Sequence, residues 1–276
     1  MDCASGWWSD VSLITRPRGR AALPARAGVV VERSIMTYRR QWIAFATGFL
    51  EPVFYLLSIG VGVGALVGRI PLGDGQSVSY AEFVAPAMLA VSAMNGAIFD
   101  ATYNMFFKLR YARTYESMLA TPVGVADIAA GELAWTLIRG GIYSLSFLVV
   151  AVFLGLVVSW WALLALPAAL VIGLAFGAIG MAATTWIRGI ADFDYVQLAL
   201  VPMMLLSATF FPVTTYPGPL RWLVELSPLY HGVALERGLM LGQIGWSLLA
   251  HLLVLVAMGA VGARILSRRL ANLLLR

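Results

Sequence analysis

Three ionisable residues stand inside long apolar stretches of the chain. Glu51 lies in the first stretch, Asp100 near the end of the second and Arg139 near the start of the third. Counted at about 1.5 Å per helical residue, all three fall roughly 10–13 Å below the same boundary of the apolar layer. A charge at that depth is costly and ordinarily faces an opposite charge or water. An Arg139 pair with either Glu51 or Asp100 meets that demand. In the competing arrangement Arg139 reaches back to the headgroups and Asp100 borders a wet vestibule.

Bond-breaking chemistry finds little support. There is no G-x-S-x-G elbow and no H-E-x-x-H pair. The one lysine, Lys108, follows Phe106-Phe107, so the chain has no G-x-x-x-x-G-K-[ST] phosphate loop of its own. An intramembrane enzyme would need a pair such as Ser207 and His251, but no flanking signature supports them. One cysteine, Cys3, excludes an intrachain disulfide. His231 and His251 are far apart in sequence, so neither a metal site nor a bound cofactor is expected.

The elements that must position these residues are membrane helices. The chain has 276 residues, 61% hydrophobic and only 12% charged, against about 25% charged in a soluble domain. So little polar surface cannot cover so apolar a core, and lipid is the solvent that fits. The net charge of +5 is read as topogenic residues meeting anionic headgroups rather than as a nucleic-acid footprint.

The expected fold is an all-α integral membrane protein with six spans, at about 43–68, 83–107, 133–158, 160–187, 194–212 and 246–266, within a domain over 24–276. Residues 1–23 read as a disordered cytoplasmic tail. Fifteen basic residues fall on one side of this arrangement and three, Arg69, Arg221 and Arg237, on the other. Both termini and the segment after the second span are therefore expected in the cytoplasm.

Residues 24–42 mix apolar and basic positions and suit a helix along the inner interface. Residues 108–132, KLRYARTYESMLATPVGVADIAAGE, form a polar, amphipathic cytoplasmic interruption longer than a turn requires. On the outer side, Pro212, Pro217, Pro219 and Pro228 break 210–245 into short pieces, read as two short re-entrant helices.

Three stretches carry a family likeness: Glu51-Pro52 with Phe54-Tyr55-Leu56 and the glycines after them; Tyr115 to Pro122 with Gly131-Glu132; and Phe211-Pro212, Ser227-Pro228-Leu229-Tyr230-His231 and Arg237-Gly238-Leu239. Over about residues 25–270 the chain resembles the type-2 permeases of ATP-binding-cassette transporters, which export drugs and polysaccharides. The nodulation-factor exporter permeases are the nearest group and the daunorubicin-resistance permeases a more distant one. The resemblance implies a bacterial inner-membrane exporter permease of six spans, working as a homo- or heterodimer. It implies two copies of a separate ATPase subunit that bind the ATP and Mg, and an amphipathic drug, lipid or lipid-linked saccharide as substrate. It also makes the segment after the second span a coupling helix. Tyr115, Glu116, Met118, Leu119, Thr121 and Pro122 would then dock on the ATPase, with Arg110 and Arg113 at the rim. Phe54, Met94, Asn95, Met203 and Met204 are the candidates for a substrate path at the dimer seam. An ATP-independent transporter is the alternative, but the internal repeats expected of one are not seen.

Overall fold

A computed structural model describes residues 23–39, 50, 53–54, 56–72 and 77–275. Most of the 1–23 tail, Glu51 and the start of the first expected span, residues 43–49, lie outside the described residues.

Helix α1 (Leu23–Tyr38) precedes the membrane-like part. It lies on the third expected span: a Cβ at Gly131 would come within 2.5 Å of the Val30 side chain. Val30 and Ser34 turn inward, whereas Val29, Ile35 and Met36 are exposed. A π-helical stretch, Leu56–Val63, continues as Gly64–Val67 to form α2. Gly68, at φ 73°, ends it. A small antiparallel hairpin follows, β1 (Arg69–Pro71) on β2 (Ser77–Ser79), with Ile70 opposite Val78.

Helix α3 (Tyr80–Tyr111) is the axis of the bundle. Ser79 and Glu82 start it with a reciprocal cap: Glu82 N–H donates to Ser79 Oγ at 3.3 Å, and Ser79 N–H to Glu82 Oε2 at 2.6 Å. Its first twenty residues are mostly buried, which is why the stretch reads apolar on every face. Its lower half loosens into two π-turns, Asp100–Asn104 and Phe107–Tyr111. Arg113, at φ 45°, then breaks the chain into the short helix α4 (Thr114–Leu119).

Helix α5 (Val125–Phe153) begins at Gly124, whose N–H donates to Asp127 Oδ2 at 2.9 Å. Helix α6 spans Trp160–Thr184, its first turn being a 3₁₀ helix. The last helix, α10 (Trp246–Leu274), packs tightly on α6. A Cβ at Gly262 would meet the backbone of Ala178 and Ile179 at 2.8 Å, so glycine is what permits this approach.

The stretch expected to be a continuous fifth span over 194–212 is not one helix. Helix α7 runs over Phe193–Leu205 only. Pro202 lies inside it, and Leu206 closes it by donating to Pro202 O at 2.8 Å. The chain then turns irregularly, with Ala208 at φ 54°. Two short helices follow, α8 (Gly218–Leu226) and α9 (Pro228–Leu241). Pro228 at the start of α9 and left-handed Gly242 just beyond its end mark its limits. Helix α8 keeps only Val224 buried, while α9 is largely buried. Among the described residues, four helices are long and apolar enough to cross a membrane: α3, α5, α6 and α10.

Candidate functional site

The lower half of α3 gathers most of the buried charge. Arg139 Nη1 of α5 donates to Asp100 Oδ1 at 2.9 Å. Of the two partners expected for Arg139, Asp100 is therefore in contact; Glu51 lies outside the described residues. Asp100 also accepts from Asn104 Nδ2 at 2.9 Å and from Thr136 Oγ1, on α5, at 2.8 Å. The guanidinium donates through Nε to the Tyr143 hydroxyl at 3.2 Å. Its Cζ lies 5.2 Å from the ring centre of Tyr38 on α1 and 5.9 Å from that of Phe99. Both charged groups are nearly sealed, at 8% and 1% side-chain exposure. A buried ion pair is tolerable only when further hydrogen bonds use its remaining donors and acceptors, as they do here. Asp100 opens the first π-turn of α3, a helix defect frequent at functional positions.

About two turns further along, Lys108 Nζ contacts both carboxylate oxygens of Glu132 on α5, at 2.9 and 2.7 Å. This second pair ties the end of α3 to the start of α5, on either side of α4. Within α4, Tyr115 is 1% exposed and Thr114 is also buried. Tyr115 belongs to a cluster that includes Met105 of α3, Ile128 of α5, Met181 of α6 and Leu266 of α10. Burial, and then the neighbouring Glu132 carboxylate, push its phenol well above the usual range.

This burial corrects one expectation. Tyr115 faces into the bundle, because α4 must cover the apolar ends of four helices and its largest side chain is the one that can. Met118 and Leu119 are partly buried against the same cluster. Of the docking candidates, Arg113, Glu116, Thr121 and Pro122 are on the exposed surface of the segment. Arg110 is exposed as well, but its guanidinium Nη2 donates to Ile187 O at 3.3 Å, linking it to the turn after α6.

The five path candidates separate. Met94 is fully buried in the main core and lines no open surface. Its helix packs on several sides, a condition that residue type alone does not reveal. Asn95, Met203 and Met204 are partly buried, and Phe54 is 62% exposed. Tyr195, Leu198, Val201 and Leu205 extend the exposed apolar surface along α7.

Sequence reasoning missed a polar cluster at the other end of the molecule. Arg237, read from the sequence as an outer charge and as part of the family-like stretch but given no contact, stacks on Phe83 with Cζ 3.9 Å from the ring centre. Its Nη2 donates to Ala208 O at 2.9 Å, within the irregular stretch after α7. Tyr80 OH donates to Phe210 O of the same stretch at 3.3 Å. Non-helical backbone inside an apolar layer survives only where protein satisfies its carbonyls, and these side chains do so. The prolines of 210–245 were the available signal that such donors would be needed. His231 and His251, distant in sequence, meet with their Nδ1 atoms 2.7 Å apart.

Residues 26–241 match the family model described as ABC-2 type transporter. Nodulation protein J of Rhizobium leguminosarum bv. viciae is 36% identical over 263 residues, covering 91% of this chain and 99% of that protein. Nodulation protein J of Rhizobium meliloti (strain 1021) is 36% identical over 229 residues, covering 81% of this chain and 85% of that protein. The inner membrane transport permease YadH of Escherichia coli (strain K12) is 25% identical over 206 residues, covering 73% and 77%. With long apolar helices, an ion pair buried between two of them and a family match over most of its length, the chain belongs to the ABC-2 type transporter family and is an integral membrane transport permease.

Proposed function

We propose that this permease is the membrane half of an exporter driven by a separate ATPase subunit, with α4 as the docking element. The observation that carries this reading is the double character of α4. Tyr115 is rooted among residues of α3, α5, α6 and α10, while Glu116 on the same helix, and Thr121 and Pro122 just beyond its end, are exposed. A push on the outer face of α4 is therefore felt by four helices at once. Lys108–Glu132 makes the ends of α3 and α5 move together. The ATPase drives the cycle only if its nucleotide states favour different permease states, since equal affinity shifts nothing.

Six crossings arise in this reading if the stretch at 43–68 and α7 with its irregular continuation join the four long helices. The excess of basic residues puts both termini and α4 in the cytoplasm. Helix α1 then lies on the inner interface, and α8 and α9 enter the outer leaflet. Two copies of the permease face each other through exposed apolar surface on α2 and α7, with Phe54 beside the substrate path. The substrate is amphipathic: a drug, a lipid or a lipid-linked saccharide.

Co-expression with the ATPase encoded next to this chain, followed by pull-down and transport assay in vesicles, tests the proposal. Co-purification and ATP-dependent transport are expected. Transport by the chain alone, with no ATPase captured, would overturn it.

A further inference from the structure

The two histidines of the chain, His231 on α9 and His251 on α10, meet by their Nδ1 atoms at 2.7 Å. Their ring centres lie 5.0 Å apart, about the sum of that contact and the two ring radii. The nitrogens therefore meet nearly end to end. Tyr230 sets an edge against both rings, its centre 5.7 Å from each. Neither histidine is fully buried.

Two ring nitrogens at this distance must share a hydrogen, because two bare lone pairs would repel and so would two N–H groups. A metal ion fits the spacing poorly: two in-line bonds of about 2.0 Å need about 4 Å between the nitrogens. We propose that His231 and His251 form a two-imidazole site holding one proton between them, a latch that fastens α9 to α10 and opens when both rings become charged.

The proton count gives the latch two stages. In the neutral pair one ring donates Nδ1–H and the other accepts. A first added proton binds the free Nε2 of the donor ring and leaves the bridge intact. A second must occupy the acceptor Nδ1, which removes the bridge and sets two like charges face to face.

Other groups do not offset that repulsion. Residues 246–258 of α10 carry no charge besides His251, and Trp160–Thr184 of α6 carries none. On α8, Arg221 and Glu225 pair with each other at 2.8 Å. On α3, Glu82 is bound to its cap, and the Tyr80 hydroxyl donates to Phe210 O. On α9, Arg237 serves backbone carbonyls, and Glu236 is fully buried with both oxygens without a partner among the described residues. Asp194 and Tyr195 lie at the far end of α7. Helix α9 also holds the irregular stretch after α7 through Arg237, so opening the latch would loosen both. The site does not depend on how an ATPase docks.

Hydrogen–deuterium exchange of the full chain in lipid nanodiscs tests this, comparing peptides from 228–241 with peptides from 80–99 at about pH 7.5 and about pH 5, either side of the imidazole range. After correction for intrinsic exchange, the 228–241 peptides should lose protection about tenfold or more at the lower pH, because contacting like charges repel well beyond thermal energy. The 80–99 peptides should change little. His251→Gln should abolish the pH effect, since its amide oxygen accepts from a charged His231; His231→Gln should do the same from the other side. No loss of protection in the wild type would overturn the proposal. Equal losses in wild type and both variants, or an equal loss in the 80–99 peptides, would overturn it too.

Discussion

Arg139 on α5 and Asp100 on α3 form an ion pair at 2.9 Å, with neither side chain more than 8% exposed. Thr136 and Asn104 occupy further acceptor positions of the carboxylate, and Tyr143 receives one guanidinium hydrogen. The pair binds the second and third expected spans at the point where α3 first departs from α-helical geometry.

Arg139→Met should destabilise the protein by about 3–5 kcal/mol, because it strands the Asp100 carboxylate in the bundle. Thermal unfolding in detergent reads the loss. Adding Asp100→Asn should recover part of it, since the orphaned charge is then gone. Normal folding and activity of Arg139→Met would show that the pair is dispensable.

Tyr115 separates stability from docking. Tyr115→Ala should cost about 3–5 kcal/mol by opening a cavity among four helices. Tyr115→Phe should keep the packing and cost well under about 1 kcal/mol, since the buried hydroxyl makes no hydrogen bond among the described residues that would be lost. Chemical denaturation of the two variants side by side checks the difference.

Glu116→Ala and Thr121→Ala lie on the exposed face of the same segment. Their effect on stability should stay within about 0.5 kcal/mol, while ATP hydrolysis and transport by the co-purified complex become uncoupled. Coupled transport at the wild-type rate in both variants would reduce the segment to a linker.

Gly262→Leu should force α10 away from α6. A Cβ there already meets backbone of Ala178 and Ile179 at 2.8 Å, and backbone cannot swing aside as a side chain can. A loss of about 1–3 kcal/mol or more is expected, seen as a lower thermal midpoint. Gly140→Ala on α5, where an added Cβ meets nothing within 4 Å, is the control and should leave the midpoint close to wild type.

The sequence by itself determined the membrane class, the likeness to type-2 permeases and the need for a partner to Arg139. Each follows from composition, from motif order or from the cost of an isolated charge in an apolar layer, none of which requires knowing which helices touch. It also marked 108–132 as more than a turn. Tertiary structure decided the rest. It set Asp100 against Arg139, because α3 and α5 pack with those residues level. It turned Tyr115 inward and buried Met94, since exposure depends on which neighbours cover a face. It cut the fifth expected span at Leu205, where hydropathy continues but Pro202 and the carbonyl-binding Arg237 and Tyr80 let the backbone leave the helix. And it brought His231 to His251, a contact between two helices that no spacing along the chain could register.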